Sequence, residues 1–265
     1  MSVASGQSIL NYELNKQHHF VQKNGDGPVE AGFVKYSTVA YVNVADGDTI
    51  AAPSYTTPSG FVTSRQLVQL GTTNDWTDNP QYTSKDGEYG FDNAMGNGDY
   101  AFTVDGTAVS MTINPENFWN ASGVTGGAWS SDKLQLNNMG ATVISFSDAS
   151  AGDFVDGTDF IRLVLRQQSV GASFVFESST LVNSFTVGAG NLVDGATYDM
   201  ELRFFNVTDR DTASIAGAVG LSGFVTQTFS QVLVANSAVP EPSTYAVIAG
   251  SLVLGLTIWR RRRVT

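Results

Sequence analysis

Three tryptophans stand in polar surroundings of the kind that sugar-binding surfaces use. Trp76 lies among Asn and Asp residues, Trp119 is flanked by Asn residues, and Trp129 lies in a stretch rich in Gly and Ser. The face of an indole ring stacks on a sugar ring, while neighbouring amides hydrogen-bond the sugar hydroxyls. Large aromatic side chains also serve as buried anchors of a core. The residue types therefore predict either a glycan-binding surface or three core positions.

Acidic side chains collect where oxygen ligands for calcium could gather. Asp153, Asp156 and Asp159 follow one another closely, and calcium prefers carboxylate and carbonyl oxygens. No acidic cluster of the chain matches the twelve-residue calcium loop with its terminal Glu. Aspartate beside glycine is also ordinary turn chemistry. We interpret the cluster as turn residues, keep a structural calcium ion as the alternative, and predict no other cofactor.

Residues suited to enzymatic catalysis are few. The chain has no cysteine, and its two histidines, His18 and His19, are adjacent. Neighbours in an extended segment point to opposite faces, so we expect a surface pair that forms neither a metal site nor a Ser-His-Asp triad. Paired carboxylates for glycoside hydrolysis meet in space rather than in sequence. Glu116, Glu177 and Glu201 lie in or beside strand-like segments, and the outward alternation of Glu201 is typical of a solvated face. We predict that the protein is not an enzyme, with a polysaccharide-active hydrolase or lyase as the alternative.

The C-terminal segment combines three unlike signals in a fixed order. Val239, Pro240, Glu241 and Pro242 come first, an uncharged apolar run from 245 to 259 follows, and then come four arginines, Arg260, Arg261, Arg262 and Arg263. The prolines force an extended peptide. The apolar run, with two residues before it, would span about 25 Å, close to the hydrocarbon thickness of a bilayer. Arginines beside a membrane segment stay on the cytoplasmic side, so we expect the preceding domain to face outward.

This order of motifs resembles the PEP-CTERM sorting signal of Gram-negative bacteria. The resemblance covers residues 239–265, about a tenth of the chain. It implies recognition of Pro240, Glu241 and Pro242 by an exosortase, a multi-spanning membrane enzyme that cleaves near the motif. It also implies transient residence in the inner membrane, with the main domain in the periplasm, and then release to the cell surface or extracellular matrix. Exopolysaccharide is the further partner that the resemblance implies.

The start of the chain departs from that pattern. Proteins with this sorting signal normally begin with a secretory signal peptide, and no apolar segment follows Met1. Ser2, Val3 and Ala4 form a small-x-small triplet of the kind that precedes signal-peptidase cleavage. We therefore expect a longer reading frame, whose upstream codons encode the missing segment, and keep a chance triplet as the alternative.

The charge of the chain excludes one class of partner. Its formal net charge is −11, and residues 1–259 carry ten basic against twenty-five acidic side chains, a net charge of −15. Such a surface repels a phosphate backbone, so we exclude nucleic-acid binding by the main domain. Acidity of this kind keeps an exported protein soluble.

The elements that must position these residues follow a period of two. Residues 100–104 and 107–113 are strand-like runs joined by Asp105-Gly106, a strong hairpin signal. Between residues 198 and 204, apolar and charged residues alternate strictly, which is typical of a half-buried strand. Further Asp-Gly pairs supply turns, and no long segment has helical periodicity. We predict an all-β protein, an antiparallel β-sandwich of jelly-roll or Greek-key type followed by one C-terminal transmembrane helix.

The predicted organisation has five parts. Residues 1–30 form a polar lead-in or an edge strand, 31–235 the β-sandwich, 236–244 a linker with the Pro-Glu-Pro motif, 245–259 the transmembrane helix, and 260–265 the cytoplasmic tail. Together with the sorting signal, this predicts a structural or adhesive component of the surface that associates with exopolysaccharide.

Overall fold

The regular secondary structure of the described residues is almost entirely β-strand. The computed structural model describes residues 9–58, 60, 64–71, 73–86, 90–113, 118–147 and 154–235. In these ranges the only helix is the single turn α1, Phe91–Ala94, which confirms the all-β class. None of the described segments contains a helix with the length and apolar character that a bilayer crossing requires. The predicted linker 236–244, span 245–259 and tail 260–265 all lie outside the described residues.

The described residues form eighteen strands. Their bounds are β1 Ile9–Val21, β2 Val29–Glu30, β3 Tyr36–Val44, β4 Ser54–Thr56, β5 Arg65–Gln66, β6 Val68–Gln69, β7 Trp76–Asp78, β8 Gln81–Tyr82, β9 Gly98–Val104, β10 Thr107–Ile113, β11 Ala128–Ser130, β12 Lys133–Asn137, β13 Thr142–Ser145, β14 Phe160–Gln167, β15 Ser173–Ser178, β16 Ser184–Val187, β17 Thr197–Asp211 and β18 Val219–Ala235.

One large sheet holds most of these strands. Its main path runs β15-β14-β17-β18-β1-β3-β7-β6, and β2, β8, β11 and β12 pair at its sides. Most neighbours are antiparallel, as predicted. Strand β18 is the exception, because it pairs in parallel with β1 and, further along, with β12. Two smaller antiparallel sheets, β10-β9-β4-β5 and β13-β16, complete the described part of the chain.

The prediction for the N-terminal 30 residues is wrong over residues 9–21. This segment is strand β1, which lies in the interior of the large sheet between β18 and β3. Tyr12 and Leu14 are completely buried. The segment has a polar composition because its alternate residues face a polar surface, and that composition conceals a strand that is neither loose nor at an edge.

The predicted hairpin is confirmed. Strands β9 and β10 pair with Val104 opposite Thr107. The two residues between them, Asp105 and Gly106, have φ angles of +48° and +77°. Positive φ at both positions is the type I′ turn that matches the twist of two-residue hairpins.

The two smaller sheets cover the inner face of the large one. One buried cluster joins Tyr12 and Leu14 of β1 with Phe102 of β9 and Met111 of β10. A second cluster joins residues of β14, β17 and β18 with β13 and β16. Each large apolar side chain buried in this way contributes roughly 1.5–3 kcal/mol. Neither small sheet contributes to a third buried cluster, formed by Phe160, Phe205 and Val225. The strand register places this cluster on the opposite face of the large sheet.

Candidate functional site

The outer face of the large sheet carries a continuous row of polar side chains across five strands. The strand register places Glu177 of β15 opposite Arg162 of β14, Arg162 opposite Arg203 of β17, Arg203 opposite Gln227 of β18, and Gln227 opposite His19 of β1. We call these five residues the polar row. Directly opposed residues are the closest side-chain neighbours in a sheet, so the five side chains form one connected surface.

A pocket of about 580 Å³ lies on this face. It is open to solvent, and it lies over strands β1, β3, β17 and β18. Its polar lining comprises Glu13, Asn15, Gln17, His19, Ser37, Asn79, Gln81, Glu201, Arg203 and Gln227, and its aromatic lining comprises Phe33, Phe205 and Phe229. Mixed aromatic and convergent polar groups in one concavity are the usual composition of a small-molecule site.

Ion pairs hold the arginines of the polar row in place. Arg162 bonds Glu177 with an N–O distance of 2.7 Å, and Arg203 bonds Glu201 through its Nη2 atom. Gln227 Nε2 also donates to Glu201 Oε2 over 3.3 Å. Each arginine therefore has a carboxylate partner, which offsets the repulsion between Arg162 and Arg203 on adjacent strands.

Two phenylalanines support the guanidinium group of Arg162. The Phe160 and Phe205 rings stack with centroids 4.0 Å apart. The Arg162 Cζ atom lies 5.2 Å and 5.1 Å from their centroids. These are cation–π distances. The two rings therefore hold the Arg162 guanidinium group in place beside the pocket, which Phe205 lines.

Glu13 has an altered acidity. It is half-buried in the pocket, and Asn15 Nδ2 donates to its Oε2 atom over 3.2 Å. Burial raises the pKa of the Glu13 carboxyl above its usual range, while the positive charges of Arg162 and Arg203 act in the opposite direction. Because those charges influence Glu13, it belongs electrostatically to the same site as the polar row.

His18 and His19 point to opposite faces of β1, as predicted. His18 stacks on Tyr36 at 4.4 Å between centroids, on the inner side. His19 lines the pocket on the outer side and is only 7% exposed, so the prediction of a surface pair is wrong for His19. Its Nε2 atom lies 2.8 Å from the Ser37 hydroxyl. Burial lowers the pKa of His19 to about 4, with smaller contributions from His18 and Arg203, so its ring is neutral at physiological pH.

A second pocket adjoins the first on the same face. It has a volume of about 510 Å³ and shares three lining residues with the first pocket, Val21, Glu201 and Phe229. Its other charged lining residues are Lys23, Asp132, Arg166 and Asp199. The two pockets therefore form one longer groove along the strands.

The structure does not bring the three tryptophans together on one exposed surface. Trp119 is 5% exposed and packs in the second core cluster, with its ring 5.6 Å from that of Phe154. Trp129 packs against the same cluster, while Trp76 packs against the first one. Of the two sequence interpretations, the core position holds for Trp119, while a sugar-stacking role for Trp76 and Trp129, which are only partly buried, stays a prediction.

The predicted aspartate cluster is used for backbone hydrogen bonds. Asp159 is buried and accepts bonds from the N–H groups of Val155 and Val207, at 2.8 Å and 2.9 Å. Asp156 accepts a bond from the Leu181 N–H over 3.1 Å. Asp153 lies outside the described residues. No group of three or more potential metal ligands occurs in the described ranges.

The sorting residues Val239, Pro240, Glu241 and Pro242 and the arginines Arg260, Arg261, Arg262 and Arg263 also lie outside the described residues. The structure places Glu177 and Glu201 in or beside the polar row; Glu116 is not described. Glu201 is not on a solvated face, since its side chain is only 13% exposed.

The sequence analysis did not single out Glu13, Asn15 and Gln17, and it placed His19 in a surface pair, because all four lie in the segment interpreted as a lead-in. One signal was available in the chain itself. Tyr12 and Leu14 alternate with Glu13 and Asn15, which is the period-two pattern of a half-buried strand.

Comparisons with known proteins identify no family. No protein-family model and no curated protein matches the chain. Among solved structures, a chain of a cytokine receptor complex aligns with a TM-score of 0.25 and 12% identity, over 77% of this chain and 94% of that one. The native conformation of E. coli alpha-2-macroglobulin aligns with a TM-score of 0.27 and 11% identity, over 88% of this chain and 14% of that one. Similarity this low carries no conclusion about function.

Proposed function

We propose that this chain is an exported protein of the cell surface or extracellular matrix that associates with exopolysaccharide through the outer face of its large sheet. In this proposal the sheets form a β-sandwich of jelly-roll or Greek-key type, and the protein is a structural or adhesive component. The observation that supports the binding role is the polar pocket, in which amide, hydroxyl, imidazole and guanidinium groups stand beside aromatic rings.

These groups suit a saccharide better than an apolar ligand. Each sugar hydroxyl both donates and accepts hydrogen bonds, and the pocket offers side chains of both kinds. Phe33, which is 87% exposed, lies at the pocket and offers a free ring face for stacking. The proposal therefore replaces the tryptophan surface with a different aromatic set on the same molecule.

Binding is tested with polysaccharides immobilised in a gel, using the full chain in mild detergent. The panel comprises the neutral polymers dextran, pullulan and galactomannan and the polyuronate alginate. We expect retention by at least one polymer, and Phe33→Ser should weaken it about fivefold because a stacking ring is lost. The matched control is Val143→Ser, another exposed apolar residue that does not line the pocket. If none of the polymers slows the migration of the protein through the gel, the binding role is contradicted.

The destination of the protein is a separate part of the proposal and rests on residues 239–265. Exosortase would recognise Pro240, Glu241 and Pro242, residues 245–259 would cross the inner membrane, and the arginine cluster would stay in the cytoplasm. Co-expression of an export-competent precursor with an exosortase should yield a mature protein whose mass places its end near the motif. Glu241→Ala should block this processing. A protein of unchanged mass in the presence of active exosortase would contradict the sorting role.

A polysaccharide-active enzyme is the second candidate, because two carboxylic acids line one pocket. Glu13 has a raised pKa, whereas Glu201 is bonded to Arg203. Glycosidases use one protonated and one ionised carboxyl group in this way. Release of reducing ends from a bound polymer, lost in Glu13→Gln, would establish hydrolysis. Binding without release of reducing ends favours the structural or adhesive role.

A further inference from the structure

Within the part of the chain that the structure describes, two buried polar atoms of the polar row have no hydrogen-bond partner. They are Nδ1 of His19 and Nε of Arg203. The two residues lie on opposite sides of Gln227, since β18 runs between β1 and β17. A buried polar atom without a partner costs about 1–3 kcal/mol, so this row has an unused capacity for hydrogen bonding where the pocket lies.

The neighbouring residues determine which role His19 Nδ1 plays. The Ser37 hydroxyl donates its single hydrogen to Gln17 Oε1 over 3.2 Å. It must therefore accept from His19 Nε2, which lies 2.8 Å away. A neutral imidazole carries one hydrogen, so with the hydrogen on Nε2 the Nδ1 atom is a hydrogen-bond acceptor. A ligand that satisfies it must bring a donor.

Arg203, in contrast, requires a hydrogen-bond acceptor from the ligand. A guanidinium group only donates hydrogen bonds. Its Nη2 atom bonds Glu201, while its Nε–H remains without an acceptor. A ligand that satisfies the whole row must therefore bring a donor for His19 and an acceptor for Arg203. Carboxylates and phosphates bring acceptors only, whereas hydroxyl groups bring both.

The charges at the pocket also disfavour an anion. The lining contains the carboxyl groups of Glu13 and Glu201 against the single guanidinium group of Arg203. The adjacent Arg162 is already bonded to Glu177. The described surroundings of the polar row thus carry no excess of positive charge that would attract a polyanion.

We propose that His19, Gln227 and Arg203 form a recognition site for an uncharged, hydroxyl-rich glycan. Both atoms are covered in the unliganded protein, so neighbouring side chains of the pocket shift when the glycan binds. One hydroxyl then donates to His19 Nδ1, and another oxygen accepts from Arg203 Nε–H. The backbones of β1 and β17 are two strand spacings apart, about 10 Å, so the two contacts fall on different oxygens of one glycan. This inference rests on the binding role proposed above and specifies its ligand as neutral.

The test uses the same panel of polymers and three variants of the full chain. His19→Gln places an amide near the Nε2 position, which keeps a partner for Ser37 and removes the Nδ1 acceptor. His19→Asn places a side-chain polar atom near the Nδ1 position and serves as the rescue variant. Arg203→Lys keeps a positive charge for Glu201 and replaces the Nε donor with a methylene group. Circular dichroism and thermal unfolding establish that each variant is folded.

We expect retention by a neutral polymer and not by alginate. His19→Gln and Arg203→Lys should each weaken the affinity for the neutral polymer about fivefold, which is the effect of one lost hydrogen bond. His19→Asn should recover most of the affinity that His19→Gln loses.

Retention by alginate alone would overturn the neutral ligand while leaving glycan binding intact. Neutral binding that is unchanged in folded His19→Gln and Arg203→Lys would overturn the site but again leave the binding role. A lack of rescue in folded His19→Asn would likewise reject the acceptor role of Nδ1. Absence of binding to every polymer would reject the binding role itself.

Discussion

His19 makes the stability of the protein depend on pH. Its pKa is about 4 in the folded protein because the ring is buried, against about 6.5 in an unfolded chain. Between these values the unfolded state binds a proton that the folded state does not. The free energy of unfolding is therefore not reduced by His19 above about pH 6.5. It falls as the pH is lowered through that value, and this decrease ends below about pH 4.

This linkage gives a prediction for chemical denaturation. Lowering the pH from 7 to 5 should reduce the free energy of unfolding by about 2 kcal/mol through His19 alone. The His19→Gln variant should lose that part of the pH dependence and keep the part that arises from other groups. Urea unfolding of both proteins at pH 7, 6 and 5 measures the difference. Parallel pH profiles would show that His19 is not buried in its neutral form.

Asp159 provides a test of the aspartate cluster. Its carboxylate accepts two backbone N–H groups, so Asp159→Ala should lower the free energy of unfolding by about 2–4 kcal/mol. Asp156→Ala removes one bond at an exposed position and should cost less than about 1 kcal/mol. Thermal unfolding with and without EDTA separates this role from a calcium site. A drop in melting temperature on chelation would favour the metal.

At the level of the strands, the contact between β17 and β18 depends on a residue without a side chain. A Cβ atom on Gly223 would lie 2.0 Å from the carbonyl oxygen of Asn206. Gly223 pairs with Val207 directly beside the irregularity in the β17–β18 register. Strand β17 can therefore approach β18 this closely only at a glycine.

Gly223→Ala should consequently destabilise the protein by about 2–4 kcal/mol, because the atom it meets belongs to the backbone and cannot rotate away. Gly140→Ala is the matched control, since a Cβ there meets nothing within 4 Å. The control should change the free energy of unfolding by less than about 0.5 kcal/mol. Equal effects of the two substitutions, measured by urea unfolding, would contradict the close approach.

The strands that the sequence predicts well are those whose signals are local. The Asp105-Gly106 turn and the alternation from Tyr198 to Phe204 each depend on neighbouring residues, and both are present in the structure. Strand β1 depends on β18, whose residues Val219 to Phe229 lie at the opposite end of the chain. The polar row was likewise beyond prediction, because it comes from five strands whose order no local pattern specifies.

For the whole molecule, the two faces of the large sheet have different roles. The inner face is buried under the small sheets and holds the two large apolar clusters, while the outer face holds a smaller one and carries the polar groove. Substitutions in the groove should therefore affect binding more than folding, except at residues such as His19 that are themselves buried.

Amide hydrogen exchange should reflect the sheet order across the molecule. Strands β1, β17 and β18 have partners on both sides, and we expect their amides to exchange most slowly, near the limit of global unfolding. The two-residue strands β2, β5, β6 and β8 should exchange fastest. Mass-spectrometric exchange at several pH values measures these rates by peptide. Rapid exchange throughout Ile9–Val21 would mean that β1 is not an interior strand.

The parallel pairing of β1 with β18 also has a consequence for biosynthesis. The ribosome makes β1 early, but the strand that it needs on one side is among the last described parts of the domain to emerge. Until Val219–Ala235 has been translated, β1 and β17 each lack the neighbour on one side and can pair only with β3 and β14. The large sheet is therefore incomplete, and this part of the chain incompletely folded, until β18 has been made. That is the state in which a polypeptide can be threaded through a translocation channel.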